Sequence, residues 1–156
     1  MNIYITISII IAVLLLIGIG VLLLLKSRSR RPSDMDLMEG HDFEYFCADL
    51  LRKCGFLDVE VTKGSGDYGI DILAEKDGIT YAIQCKCYHA PVGVAAVQQA
   101  YAGRDYYDCM VGVVMTNQYF TTPAVEVAKK LKIILWDRGY LDSMMEEQSG
   151  HYSNLK

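Results

Sequence analysis

Residues 69–88 read GIDILAEKDGITYAIQCKCY, and the fold is decided there. The Lys76-Asp77-Gly78 step breaks two apolar-rich runs, Gly69–Glu75 and Ile79–Tyr88. An Asp-Gly pair between runs of strand length is a hairpin signal, because tight hairpin turns need residues that tolerate positive φ. Successive strand residues point to opposite faces. In the second run Tyr81, Ile83, Cys85 and Cys87 therefore share one face, and Ala82, Gln84, Lys86 and Tyr88 share the other. In the first run Ile70, Ile72 and Ala74 are expected on one face, with Asp71 on the opposite one. Pairing the two strands brings Asp71 toward Gln84 and Lys86.

The neighbouring segments extend this hairpin into a layered domain. Upstream, Phe43, Phe46, Cys47, Leu50, Leu51 and Cys54 recur at helical spacing, and Gly55 stands at a plausible C′ position. Val59–Thr62 reads as a first strand, followed by the loop Lys63-Gly64-Ser65-Gly66-Asp67. Downstream, Val94 to about Tyr107 is expected to be helical, and Met110–Thr116 has the continuous apolar character of a buried strand. Thr121-Thr122-Pro123 opens a further helix with proline in its tolerated first turn. Ile133–Trp136 is the last strand, Gly139–Glu147 a short helix, and the tail from Gln148 is polar. The order α-β-β-β-α-β-α-β predicts an α/β fold of three layers, a central mixed sheet between helices.

The front of the chain is different. Ile3–Leu25 is apolar and uncharged, about 23 residues where roughly 20 suffice to cross a bilayer. Nothing basic precedes it and no small-residue cleavage pattern follows, as a signal peptide would require. Lys26, Arg28, Arg30 and Arg31 come directly after it, and the positive-inside rule puts that side in the cytoplasm. The expected organisation is an anchor over 1–25, a basic linker over 26–37, a domain over 38–147 and a polar tail over 148–156. This places the chain in a bacterial inner membrane, single-pass, with the N-terminus outside. After residue 33 there remain 11 basic against 19 acidic residues, a net charge of −8. A module that simply coats DNA would be basic. Five cysteines (Cys47, Cys54, Cys85, Cys87, Cys109) form no C-x-x-C pair and are expected to be reduced, buried and apolar in role.

Asp71, the Gln84 amide and the backbone carbonyl of Cys85 are hard oxygen ligands of the kind a divalent ion takes. Lys86 beside them can orient a water or offset charge on phosphorus. Glu44, at the border of the first helix's apolar stripe, can contribute through an intervening water. Against this, a single Asp or Lys at a strand end is commonly a solvated surface group, and Gln-x-Lys recurs by chance. The residues alone leave both readings open.

Taken in order, Phe43-Glu44, Leu50-Leu51, Gly55-Phe56, Gly66-Asp67-Tyr68-Gly69-Ile70-Asp71-Ile72, Ala82-Ile83-Gln84-Cys85-Lys86, Val97-Gln98, Gly103, Thr116-Asn117, Phe120-Thr121 and Leu135-Trp136-Asp137 resemble the Mrr-type catalytic domain. That domain is a branch of the restriction-endonuclease-like PD-(D/E)xK nuclease superfamily, and the resemblance spans Gly40 to Arg138. It implies a Mg²⁺-dependent endonuclease, with Mn²⁺ able to substitute, acting on double-stranded DNA and in several members on modified or foreign DNA. Carried over, Glu44, Asp71, Gln84 and Lys86 are the catalytic set, Gln84 standing where many members of the superfamily have Asp or Glu. Asp67, Gln98 and Asn117 match further family positions, Asp67 as a brace of its loop and Gln98 as a lining residue. A separate DNA-reading domain, usual in such restriction enzymes, is replaced here by the apolar segment. A catalytically silent DNA-binding or sensing module with the same fold stays open, as does a homodimer, since cutting a duplex takes two sites or two visits.

Overall fold

A computed structural model describes residues 34–63 and 68–153, with side chains from 35 to 148, and the isolated positions Val13 and Gly18, both helical. Apart from those two positions, the expected membrane helix at 3–25 lies outside the described residues, as does Asp67 in its loop. Among the described residues no helix is long and apolar enough to cross a membrane.

Asp34–Lys156 forms one compact unit. After a 3₁₀ turn at Asp34–Asp36 come α1 (Gly40–Lys53), β1 (Leu57–Val61), β2 (Ile72–Lys76), β3 (Ile79–Lys86), α2 (Val94–Tyr106), β4 (Val111–Thr116), α3 (Thr122–Leu131), β5 (Ile133–Trp136) and α4 (Arg138–Ser153). The five strands stand in the sheet in chain order. β1–β2 and β2–β3 are antiparallel, whereas β3–β4 and β4–β5 are parallel. Parallel neighbours need a crossover, and α2 and α3 supply it. Both pack on one face, where Val92, Ala96, Val97, Ala100, Ala124 and Ala128 meet Val114 and Ile133. The other face is covered by Phe43, Cys47 and Leu51 of α1 and by Leu141 and Met144 of α4, packed on Ile72, Ile83, Val113 and Met115. Each fully buried side chain of this size contributes about 1.5–3 kcal/mol of transfer free energy.

Local chemistry explains the boundaries. Gly55 closes α1 at φ 82°, with its N–H donating to Arg52 O at 3.1 Å and that of Phe56 to Leu51 O at 3.1 Å. Asp77 and Gly78 both take positive φ (54° and 78°), the requirement of a two-residue hairpin turn, and pin Lys76 opposite Ile79. Thr121 caps α3 by accepting Ala124 N–H at 3.3 Å.

Several boundaries correct the sequence reading. β1 starts at Leu57, with a register shift between Leu57 and Glu60, instead of at Val59. The folded unit begins at Asp34, inside the expected linker, because Met35 is only 1% exposed and belongs to the core. α4 runs through the expected tail to Ser153. Only Cys47 and Cys85 are buried, while Cys54, Cys87 and Cys109 are half-buried, and all five are free. Ile70 does not join Ile72 and Ala74 on the α1 face: β2 starts only at Ile72, and Ile70 packs against Gly103 of α2.

Candidate active site

The approach to Asp71 is shaped by two residues of positive φ, Tyr68 (49°) and Gly69 (78°). A side chain at Gly69 would press on Gln99 Cβ at 3.2 Å, so conformation and space both call for glycine there. The turn delivers Asp71 between two strands. Its N–H donates to Ile83 O at 2.9 Å and its carbonyl accepts from Thr62 N–H at 2.9 Å, while Thr62 Oγ1 donates to Ile70 O at 2.6 Å. The carboxylate then turns along the sheet, where Oδ2 accepts the Cys85 N–H at 2.6 Å.

β3 is enclosed on both sides, and Ala82, Ile83, Gln84 and Cys85 are all buried. Gln84 pairs in register with Val114 and so faces α2. It is 2% exposed, and its Oε1 is the one buried side-chain oxygen or nitrogen without a hydrogen-bond partner among the described residues. An unpaired buried acceptor costs about 1–3 kcal/mol. Cys85 points the other way, toward α1. Its thiol is pushed well above the usual range by a hydrogen bond with Cys47, then by burial, then by the charges of Cys47, Asp71 and Glu44. Both carboxylates therefore act on the same thiol.

The backbone of β3 alternates sides. Ile83 O and Cys85 N–H meet Asp71, whereas Lys86 O meets Thr116 Oγ1 at 2.6 Å on the β4 side. A strand residue directs its N–H and C=O to the same side, so the Cys85 carbonyl also belongs to the Asp71 side. Lys86 is half-buried, and its ammonium has neither a hydrogen bond nor an ion pair among the described residues.

Asp71 thus meets Cys85 where β2 and β3 open, with Gln84 and Lys86 flanking Cys85 on β3. Glu44 comes from another element, and its charge reaches the Cys85 thiol. It stands on α1, packed on the opposite face, with its side chain 24% exposed and 3.0 Å from His41 Nδ1. Helical periodicity located its stripe but not the face on which α1 docks. Gln98 is exposed, and its neighbour Gln99 lies against Gly69. Asn117 is 1% exposed and bonds to backbone, accepting Tyr88 N–H at 2.9 Å and donating to Tyr88 O at 3.0 Å. Gln99 is absent from the sequence motifs, and Thr116 stands there only as the neighbour of Asn117, without a role. The signals that could have found them were adjacency to Asn117 and the helical phase set by Ala96, Ala100 and Gly103.

The donor set suits a hard divalent ion. The orphaned amide oxygen, the Asp71 carboxylate and the Cys85 carbonyl are all oxygen donors. Among the described residues no three His, Cys, Asp or Glu side chains gather into a metal cluster. An aromatic groove of about 580 Å³ lined by Phe56, Tyr81, Trp136 and Tyr140 includes none of these residues.

The fold is that of a restriction-endonuclease-like domain. The chain belongs to the Mrr catalytic-domain family, described as Restriction endonuclease, whose model matches residues 35–145. Among solved structures it is similar to a protein of unknown function, AF1548 (24% identity, TM-score 0.61, covering 71% of this chain and 67% of that one). It is also similar to the DNA modification-dependent restriction endonuclease AspBHI (20% identity, TM-score 0.55, 70% of this chain and 31% of that one). The chain thus spans about a third of AspBHI, and at these identities the likeness is one of fold. No curated protein matches it.

Proposed function

We propose that the chain is a Mg²⁺-dependent endonuclease that hydrolyses phosphodiester bonds of duplex DNA, with Mn²⁺ able to substitute. The observation that carries this reading is Asp71 held on Cys85 N–H between a buried Gln84 Oε1 and a Lys86 ammonium, neither with a partner among the described residues, in a family of restriction endonucleases. Asp71, Gln84 and the Cys85 carbonyl would hold the ion, with Glu44 contributing through water. When bound, the ion supplies Lewis-acid stabilisation of charge on the phosphate. The protein's own groups do the rest. The Cys85 N–H fixes the direction of the Asp71 carboxylate. Lys86 offsets negative charge developing on the phosphate oxygens and holds the attacking water in line. An acidic domain gains little from non-specific phosphate contacts, which favours selection of particular DNA, foreign or modified.

The same reading places the domain at the cytoplasmic face of a bacterial inner membrane, tethered by residues 3–25. Fractionation of cells expressing the chain checks this: recovery in the soluble fraction after lysis would remove the tether. For activity, supercoiled plasmid with and without methylation is incubated with the chain in Mg²⁺, Mn²⁺ or EDTA. Cutting is expected only with metal, and Asp71→Ala and Lys86→Ala should each lose about 10³-fold or more, the scale of losing a group that acts in the transition state. Cutting in EDTA, or full cutting by both variants, would overturn the assignment.

A further inference from the structure

The ladder between β3 and β4 ends at Lys86 opposite Thr116, and chain beyond the last ladder pair ordinarily frays. Here it is gripped. Thr116 Oγ1 donates to Lys86 O at 2.6 Å. Two residues on, Asn117 Oδ1 accepts Tyr88 N–H at 2.9 Å, and Asn117 Nδ2 donates to Tyr88 O at 3.0 Å. Between them the Cys87 thiol donates to Met38 O at 3.3 Å. Asn117 is held in turn. Its carbonyl accepts from Arg138 Nη1 at 3.1 Å, and its Nδ2 lies 3.4 Å from Asp36 Oδ1. Arg138 meets Asp36 as a fork, Nη1 to Oδ1 at 2.6 Å and Nη2 to Oδ2 at 3.0 Å. Such bidentate pairs fix geometry as well as adding energy.

Among the described residues the Lys86 ammonium has no hydrogen bond or ion pair, so the strand backbone is what sets where its side chain departs. Displacing a reacting group by about 1 Å can cost on the order of 100-fold in rate. The geometry points to Thr116 and Asn117 as positioning residues for Lys86, with the Asp36–Arg138 pair as their brace. They act on Lys86 through the strand end they hold. The inference rests on reading Lys86 as a catalytic group.

The test uses the full chain with Asn117→Ala, Thr116→Val and Asp36→Asn. The acylation rate of each lysine is followed by mass spectrometry, with exposed Lys129 and Lys130 of α3 as references. Releasing the clamp should change the ratio of Lys86 to Lys129 labelling by about threefold or more, as local opening does. It should lower kcat for plasmid cutting about tenfold or more, with KM for DNA nearly unchanged. In a Lys86→Ala background Asn117→Ala should cost nothing further, since the group it positions is gone. The inference is overturned by an unchanged labelling ratio in the folded variants, or by an equal loss from Asn117→Ala with and without Lys86. Should Asn117→Ala fail to fold, the near-isosteric Thr116→Val decides by the same criteria. Should the wild-type chain not cut DNA, the nuclease reading fails, while the labelling ratio still decides the clamp.

Discussion

Replacing Gln84 by methionine separates a ligand site from ordinary packing. Gln84 is 2% exposed and its Oε1 has no partner among the described residues, so folding strips a carbonyl oxygen of water and returns no hydrogen bond from them. That deficit is about 1–3 kcal/mol. Methionine has nearly the same length and volume, and a volume-conserving swap of this kind costs less than about 1.5 kcal/mol. The metal-free variant should therefore be more stable than wild type by about 1 kcal/mol, a rise in Tm of roughly 3–6 °C for a domain of this size. Metal should reverse the order. At ten times its Kd, a bound ion stabilises wild type by about 1.4 kcal/mol, and the variant, short of one oxygen ligand, should keep little of that. Urea and thermal unfolding of the purified chain, in EDTA and in Mn²⁺ or Mg²⁺, measure both differences. The reasoning is refuted if the metal-free variant loses more than about 1 kcal/mol, because Oε1 would then be satisfied. It is equally refuted if the variant keeps the full metal-induced shift.

Further perturbations test the surrounding structure. Gly103→Ala puts a methyl group into Ile70 Cγ1 and Cδ1 and 3.1 Å from Tyr68 O, and overpacking there should cost about 1–3 kcal/mol in a denaturant titration. A neutral result would mean that the 68–70 turn yields freely. Lys132 ends α3 in the left-handed region (φ 56°, ψ 43°), so Lys132→Gly should stabilise by about 0.5–1 kcal/mol; destabilisation would contradict the cap geometry. The raised Cys85 thiol makes a pH prediction. Above about pH 8.5 an unfolded cysteine loses its proton while folded Cys85 keeps its own. The folded state then binds more protons, so stability present below that pH falls as pH rises toward the folded value, at up to about 1.4 kcal/mol per pH unit per thiol. Unfolding free energies from pH 7 to 10 should show this decline and a shallower one in Cys85→Ala. Identical slopes in the two proteins would remove Cys85 as the cause.

Much of the fold was legible because it is written in local periodicity. β5 lies at Ile133–Trp136 as read, α1 ends before Gly55, and the Asp77-Gly78 hairpin pairs β2 with β3. Alternation also predicted correctly that Cys85 turns to the core while Gln84 faces the other way. The reading failed where local period stops governing. Tyr68 and Gly69 take positive φ, so alternation does not carry back from Ile72 to Ile70. One helical residue is about 100° of rotation, which is why Gln99, not Gln98, lies against Gly69.

By itself the sequence determined the order of helices and strands, the Asp77-Gly78 hairpin turn, and the side of β3 on which Gln84 lies, because each depends on neighbours a few residues apart. It determined family membership too, through motifs in order over residues 35–145. Only the tertiary structure decided that Glu44 comes from the opposite face, that Gln84 Oε1 has no partner among the described residues, and that Thr116 and Asn117 grip the strand end carrying Lys86. Those are contacts between segments up to about a hundred residues apart, as Asp36 and Arg138 are. They depend on where whole elements dock, which no local periodicity encodes.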